Sequence, residues 1–422
     1  MWLRIYELFW CLSAPFLIPL TLYKDTERYK KRWGLHLPTL SKGKKIWIHA
    51  LSVGEVLSAT SLIKEIKKEF PFQIIFTTTT KKGMEVALKN LKKDAELITF
   101  FPFDFFWSAK RFISRIRPEF FILVETDLWP YLINQLSCLG IKSFLVNGRI
   151  SPKSFDRYRK VSFFIKDLLN CFELCMVQSE ADRKRFLKLG VRKEKLINTG
   201  NIKFDKETEK VAPSEKEHWR RLFGIKEKEL VWIAGSTHPG EEEKLLWVQR
   251  QLKDKLKDVN VKLIIAPRHI ERALQVLSIG REMGFNIELR SKLSSKEKDV
   301  IVLDTIGELS RIYSIADVAF VGGSLVPFGG HNLIEPASFG CPVIFGPHVF
   351  NFQDIADALK AEDAALEVKE KNQLFEKLLT LFLDKEKRAD MGKAALRFIQ
   401  KNRGATKKVV SLIKRSICGD GV

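Results

Sequence analysis

The stretch KIWIHALSVGEVLSATSLIKEI, residues 45–66, decides the fold. An uninterrupted apolar run, KIWIHA, enters a turn of small residues, and a helical pattern opens behind it. Strand, small-residue turn and helix form the unit in which nucleotide-binding folds hold a phosphate at a helix start. Here the turn carries Glu55, and a carboxylate there repels a phosphate. The stretch predicts the architecture and leaves the purpose of Glu55 to be explained.

Outward from this unit the pattern repeats. From residue 45 to about 200 the runs KIWIHA, QIIFTTTT, LITFFPFD, FFILVET, SFLVNG, LCMVQS and LINTG alternate with amphipathic stretches such as SLIKEIKKEF and SEADRKRFLKLG. Continuous apolar strands with intervening helices mean a parallel sheet covered on both faces. The polar segment KFDKETEKVAPSEKEHWRRLFG, with Pro213, then reads as a linker and a short helix. The alternation resumes with ELVWIAGS, VKLIIAPR, NIELRS, DVIVLDT, VAFVGGS and PVIFGP, and closes on helices from about Asn372. The expectation is α/β: two doubly wound domains, residues 25–205 and 206–422, facing across a cleft. Ligands should bind beyond the carboxyl ends of their strands.

Composition narrows the partners. A chain of 422 residues exceeds one ordinary core, and 45% hydrophobic residues exclude a disordered polymer. A formal charge of +21 implies an anionic partner: nucleic acid, anionic lipid or a phosphorylated substrate. The six cysteines are scattered, and they read as ordinary thiols of a reducing compartment.

Residues 1–24 differ from the rest. From Leu8 to Tyr23 no residue is charged, aromatic residues are dense, and Lys24, Arg28, Lys30, Lys31 and Arg32 follow. With no small-residue cleavage site, a removed signal peptide does not fit. The segment reads as a membrane anchor, short span or interfacial helix, with the bulk of the protein on the cytoplasmic side. SLIKEIKKE and FPFDFFWSAKRFISRIRP also mix apolar and basic residues as membrane-facing surfaces do, although the second fits a buried strand and solvated helix equally well.

Polar residues gather just after the strands. The first half places His49, Ser52, Gly54 and Glu55 after its first strand, then ETDLWP (125–130), NGRIS (147–151) and TGNIKFD (199–205). The acids of ETDLWP fit either a catalytic role or a cap for a helix starting at Pro130. The second half contributes GSTHPGEEE (235–243), whose glutamates read as complementing a helix dipole. APRH places Arg268 and His269 beyond a buried strand, and LDTIGEL places Ile306, Gly307 and Glu308 in a turn. GGSLV and FGGHN bring backbone close to a ligand, and a helix at NLIEPAS offers N–H groups to a phosphate. Glu335 suits a ribose diol. No acidic or cysteine cluster has metal-ligand spacing, and neither metal nor other cofactor is expected.

HxxSxGE, ETxLWP, NGRIS, TGNIKFD, GSTHPGEEE, APRH and GGSLVPFGGHNLIEPA, in this order and over nearly the whole chain, resemble the 3-deoxy-D-manno-octulosonic acid (Kdo) transferases of lipopolysaccharide assembly. The departures are NGRIS where relatives often have NARLS, and NLIEPA where some have NPLEAA. The resemblance implies a membrane-associated GT-B glycosyltransferase. It would transfer Kdo with inversion from CMP-Kdo to a hydroxyl of the lipid A precursor, lipid IVA, at the cytoplasmic face of the inner membrane among anionic lipids. It implies Glu55 as general base, kept ionised by its helix N-terminus, and Glu125 and Lys203 as stabilisers of the transition state. CMP would lie against Arg268, His269, Ile306, Gly307, Glu308, Asn332, Leu333, Ile334 and Glu335, with Ser236, Thr237 and Gly330 near its phosphate. The rival readings are a GT-B transferase or epimerase using a UDP-sugar, and a basic membrane-tethered binding protein. Nucleic acid is not expected, because the polar residues sit at strand ends instead of forming a basic stripe.

Overall fold

The structure, a computed structural model, describes residues 6, 12, 26–205, 211–294 and 297–419. The chain forms two compact units, residues 1–207 with 402–422, and residues 208–401. The expected anchor, residues 1–24, lies outside the described residues except for Tyr6 and Leu12. Among the described residues no helix is long and apolar enough to cross a membrane.

The described strands of the first unit are β1 (Lys45–Ala50), β2 (Gln73–Thr78), β3 (Leu97–Phe100), β4 (Phe120–Val124), β5 (Lys142–Gly148), β6 (Leu174–Val177) and β7 (Leu196–Asn198). They form one parallel sheet in the order β3-β2-β1-β4-β5-β6-β7. The continuous apolar runs follow from burial on both faces. Trp47, Phe121, Leu123 and Leu145 face one core, while Ile46, Ile48, Ile122, Val124 and Val146 face another. A buried strand has no solvent side on which to place polar residues.

The second unit repeats the plan with β8 (Leu230–Thr237), β9 (Val261–Pro267), β10 (Ile287–Leu289), β11 (Val300–Val302), β12 (Val318–Val321), β13 (Val343–Phe345) and β14 (Ala365–Glu367). Their order is β10-β11-β9-β8-β12-β13-β14, again parallel. Strand β14 has no counterpart in the sequence reading, since three residues ending in Glu367 give no periodic signal. In each sheet the first strand lies centrally and the chain winds to one side before switching to the other. The switch points are β1/β4 and β8/β12, where doubly wound sheets open a crevice for ligands.

One boundary differs from the sequence expectation. The helix Ala405–Cys418, assigned there to the second domain, belongs to the first unit. Its Val409, Val410 and Ile413 are buried in the same core as Leu62, Ile63 and Ile66 of the helix Val53–Glu69. Asp205 fixes its start by accepting from Gly404 N at 2.6 Å and Thr406 N at 2.5 Å. The apolar residues of the stretch 61–69 are thus covered by protein, contrary to the membrane-facing reading. Ending the chain at Lys401 is expected to destabilise the first unit by about 5 kcal/mol or more, from three lost aliphatic burials at about 1.5–3 kcal/mol each. Amide exchange of the truncated chain should lose protection in β1 to β7 and keep it in β8 to β14; unchanged exchange in β1 to β7 would refute the assignment.

The basic residues after the expected anchor also take another course. Arg28 donates to Thr79 O at 2.7 Å. Arg32 is buried, donates to Phe101 O at 3.1 Å and lies 4.0 Å over the Phe103 ring. These two guanidinium groups bind the protein's own backbone, leaving Lys30 and Lys31 of the described basic residues there for an external surface. In the stretch 101–118 the same division holds: Phe101, Phe105, Phe112 and Ile116 are core, whereas Trp107, Lys110, Arg111, Arg115 and Arg117 are exposed.

Candidate active site

The β1/β4 switch point of the first unit gathers three of the expected residues. The helix Val53–Glu69 starts directly after β1, so Glu55 lies in its first turn and not in a preceding loop. Its carboxylate folds back to accept from Leu51 N at 2.6 Å and Ser52 Oγ at 3.1 Å. This is close to a capping box, shifted by one residue, with Ser52 as N-cap. Two oxygens offer about four acceptor positions, so capping leaves room for a further proton.

Glu125 follows β4 with φ +63°, and Asn147 at the end of β5 has φ +60°. Such backbone costs of order 1–3 kcal/mol for a non-glycine residue and persists where surroundings enforce it. Here Asn147 is fully buried: its Oδ1 accepts from Ile202 N at 3.1 Å, and its Nδ2 lies 3.5 Å from Glu125 Oε1. Lys203, on the one-turn helix Ile202–Asp205, closes the arrangement with Nζ 2.6 Å from Glu125 Oε1. Asn147 and Asn201, whose Oδ1 accepts from Lys203 N at 3.0 Å, are therefore the frame that presents Lys203 to Glu125.

Of the two uses left open for the acids of ETDLWP, capping falls to another residue. The helix Pro130–Cys138 does begin with proline, but its first N–H groups, Tyr131 and Leu132, are capped by Asp104 at 3.0 and 2.9 Å. Glu125 and Asp127 are not needed as caps. Burial lifts Asp127 to a pKa of about 6, opposed by Trp129 and Arg32.

The expectation that Glu55 stays ionised through its helix N-terminus is overturned. Burial first, and then the charge of Glu125, raise its pKa to about 8 against the hydrogen bonds from Leu51 and Ser52. Desolvation outweighs the helix terminus because the side chain is only 9% exposed. A carboxyl that titrates near neutrality is the result. His49, by contrast, is packing: it is fully buried, its Nδ1 bonds Thr77 O at 2.9 Å, it lies 3.7 Å from Phe101 ring to ring, and burial lowers its pKa to about 3.

The expected nucleotide residues of the second unit all lie at the carboxyl end of its sheet. Ile306 to Glu308 follow β11, Arg268 and His269 follow β9, Ser236 and Thr237 end β8, and Gly330 to Glu335 follow β12. Arg268, His269, Ile306 and Gly307 are exposed and open to a ligand. Ser236 has φ +59° in a bulge of β8, and Gly322 crosses it so closely that a Cβ there would sit 2.6 Å from Ser236 O.

Several expected contacts are already engaged. Thr237 Oγ1 donates to Glu242 at 3.2 Å, and Gly330 N donates to Gly323 O at 2.8 Å. The helix at NLIEPAS is a single turn, Ile334–Ala337, and Ile334 N is held by Asn332 Oδ1 at 3.0 Å, so it is not the open phosphate cradle the sequence suggested. Leu333 is buried, while Asn332 and Glu335 are partly exposed. Glu308 accepts from Arg290 at 3.0 Å and Thr305 at 2.5 Å, which leaves its turn to offer backbone and the exposed Ile306.

The sequence reading missed two groups. Glu241 and Glu242, taken as dipole complements, are fully buried. Glu241 accepts four backbone N–H groups: His238 at 2.9 Å, Gly323 at 2.7 Å, Ser324 at 3.1 Å and Leu325 at 2.9 Å. The second group is a histidine pair, His238 and His331, with Nε2 atoms 2.8 Å apart. Burial, Arg268 and the neighbouring histidines depress His331 to about 4. Arg268 stands exposed at this end of the sheet, while Arg272 and Arg290 are already paired with Glu242 and Glu308.

Comparison with known proteins agrees with the geometry. The model of the family described as 3-Deoxy-D-manno-octulosonic-acid transferase (kdotransferase) matches residues 27–206, and that of glycosyl transferases group 1 matches residues 230–398. A 3-deoxy-D-manno-octulosonic acid transferase of Haemophilus influenzae is 38% identical over 87% of this chain and 86% of its own. One of Chlamydophila psittaci is 31% identical over 98% of this chain and 96% of its own. Among solved structures, the UDP-GlcNAc 2-epimerase of Neisseria meningitidis bound to UDP-GlcNAc shares the fold, with a TM-score of 0.61 at 13% identity over 88% of this chain and 100% of that one. Two Rossmann-like units of this kind are consistent with the GT-B class, and the chain belongs to the Kdo transferase family of glycosyltransferases.

Proposed function

We propose that the protein transfers Kdo with inversion from CMP-Kdo to a hydroxyl of a lipid A precursor such as lipid IVA, in lipopolysaccharide biosynthesis at the cytoplasmic face of the inner membrane. The observation that carries the reading is Glu55: a carboxylate at a switch point, with unused acceptor positions and a pKa of about 8. Glu55 takes the proton of the acceptor hydroxyl as that oxygen bonds to the anomeric carbon of Kdo. The bond from this carbon to the CMP phosphate breaks, and its electrons leave with the phosphate. Glu125 faces the positive charge that develops on the sugar. Lys203, paired with Glu125 at 2.6 Å, lends positive charge to the Kdo carboxylate or the departing phosphate. Arg268, His269 and the turn at Ile306 to Glu308 hold CMP, and the exposed aromatic and basic residues from Trp107 to Arg117 meet the anionic membrane.

The test supplies CMP-Kdo, generated in situ, and tetraacyl lipid A precursor to wild type and to Glu55→Ala. Product from wild type and a loss of at least about a hundredfold from the folded variant is the expected result. No product from wild type sinks donor and acceptor together, whereas equal product from both proteins removes Glu55 as base and keeps the enzyme.

A further inference from the structure

The His238–His331 pair sits at the β8/β12 switch point, on the loops that follow those two strands. Its geometry is more specific than a stack. The ring centroids are 5.1 Å apart and the planes 5° apart, while the two Nε2 atoms are only 2.8 Å apart. Rings that meet so closely through two nitrogens, with centroids so much further apart, lie head-on in nearly one plane. The contact is a directed N–H···N hydrogen bond.

A neutral pair has one proton for that bond, and its owner follows from burial. His238 is 6% exposed, its ring is 4.1 Å from Phe328, and its Nδ1 is buried without a hydrogen-bond partner among the described residues. Were His331 the donor, His238 would carry its own proton on Nδ1, leaving a buried N–H with no acceptor. An orphaned buried donor is the rarer and costlier state. His238 therefore donates from Nε2, His331 accepts on Nε2, and the proton of His331 resides on Nδ1. His331 is only partly buried and lies in the field of Arg268.

We infer that His331, held as its Nδ1–H tautomer by His238, donates a hydrogen bond to the phosphate of the nucleotide donor, with His238 as the positioning residue. The inference rests on the reading that the second unit takes a nucleotide, and it adds two residues to that site. The hydrogen bond at one ring nitrogen fixes the state of the other, as it does for histidines that hold metals, and so decides which nitrogen faces the ligand. A neutral donor beside Arg268 strengthens as negative charge grows on the leaving phosphate.

Two measurements on the full chain test it. Nitrogen-15 spectra of the histidine rings in the ligand-free protein at pH 7, assigned with His331→Asn and His238→Gln, should show His331 protonated on Nδ1 and His238 on Nε2. The opposite assignment overturns the inference. Calorimetric titration with CMP, cytidine and inorganic phosphate should show His331→Ala losing about 10- to 100-fold in CMP affinity with cytidine affinity within about twofold. His331→Asn, whose amide N–H replaces the Nδ1–H, should recover most of that loss. His238→Ala should weaken CMP and His238→Gln restore it. Equal loss of CMP and cytidine marks a structural role and overturns the proposal. A wild type that binds no CMP overturns the nucleotide reading instead, and then the ring assignment and the phosphate titration decide the role of the pair.

Discussion

Glutamine in place of Glu55 is expected to lower Kdo transfer by about 10²–10⁴-fold, the range a general base supplies, and at the same time to make the protein more stable at alkaline pH. Both effects have one cause. Glu55 is 9% exposed and stands near the charge of Glu125, so its pKa rises from 4.5 to about 8. A carboxyl with a higher pKa folded than unfolded favours the folded state when it is protonated. That contribution is complete below pH 4.5, falls as pH rises, and is lost by about pH 8, above which the fold must hold a buried charge. The full separation would be worth up to about 5 kcal/mol at about 1.4 kcal/mol per pH unit, and coupling to Glu125 reduces it to on the order of 1–3 kcal/mol. Glutamine keeps the shape and never ionises. Urea unfolding should therefore find Glu55→Gln close to wild type near pH 5 and more stable at pH 8.5. In wild type, kcat/KM should rise with pH on a limb near 8 that the variant lacks. A variant no more stable at pH 8.5 than wild type, together with a limb near 4.5, would remove both the perturbed carboxyl and its role.

The architecture was legible because each strand is buried on both faces, and burial writes an unbroken apolar run into the sequence. Trp47 and Ile48 face opposite cores, and no polar residue stands between Lys45 and His49 in KIWIHA. The positions of the site residues were legible for a related reason: parallel sheets put their functional groups after the strands, and that can be counted along the chain. What could not be read was the use to which each polar group is put. Asp104 and Glu125 both lie near the start of the helix Pro130–Cys138 in the fold, yet only Asp104 caps it, and the two are far apart in sequence. Glu241 looks like any acidic residue of a first helical turn, and its four backbone partners come from chain on both sides of the sheet's switch point. The His238–His331 bond joins residues 93 positions apart. Capping, desolvation and pairing are tertiary events, so the residue types were visible and their partners were not. The closing helix was assigned to the wrong unit on the same grounds, since the cap at Asp205 and the cover over Leu62 and Ile66 are contacts across the length of the chain.

Glu241→Ala should be among the most destabilising single changes in the second unit, at about 3–5 kcal/mol, although its position suggests a harmless surface acid. The side chain is fully buried and its two oxygens accept four backbone N–H groups. Alanine leaves those four donors without their partner, and a buried donor left unmade costs about 1–3 kcal/mol. Partial relaxation and entry of water keep the total below the sum. Burial raises the Glu241 pKa while the four donors lower it, so a large desolvation cost and a large hydrogen-bonding gain stand against each other. Removing the carboxylate leaves the desolvated donors behind without the gain. Glutamine does not rescue the site, because its NH₂ group would face two N–H donors where one acceptor oxygen stood. Glu242 is the milder case: it accepts from two side chains, Thr237 Oγ1 and Arg272, and glutamine keeps one acceptor oxygen for them, so Glu242→Gln should cost about 1–2 kcal/mol. The consequence for function follows from what Glu241 ties together. Its acceptors hold the amides of His238 after β8 and of Gly323 to Leu325 after β12, so the carboxylate sets the spacing across which His238 reaches His331. Glu241→Ala should lower CMP affinity along with stability, and amide exchange should rise first at residues 238 and 323–325. A loss below about 1 kcal/mol, or exchange that rises elsewhere first, would show that these loops hold their positions without it.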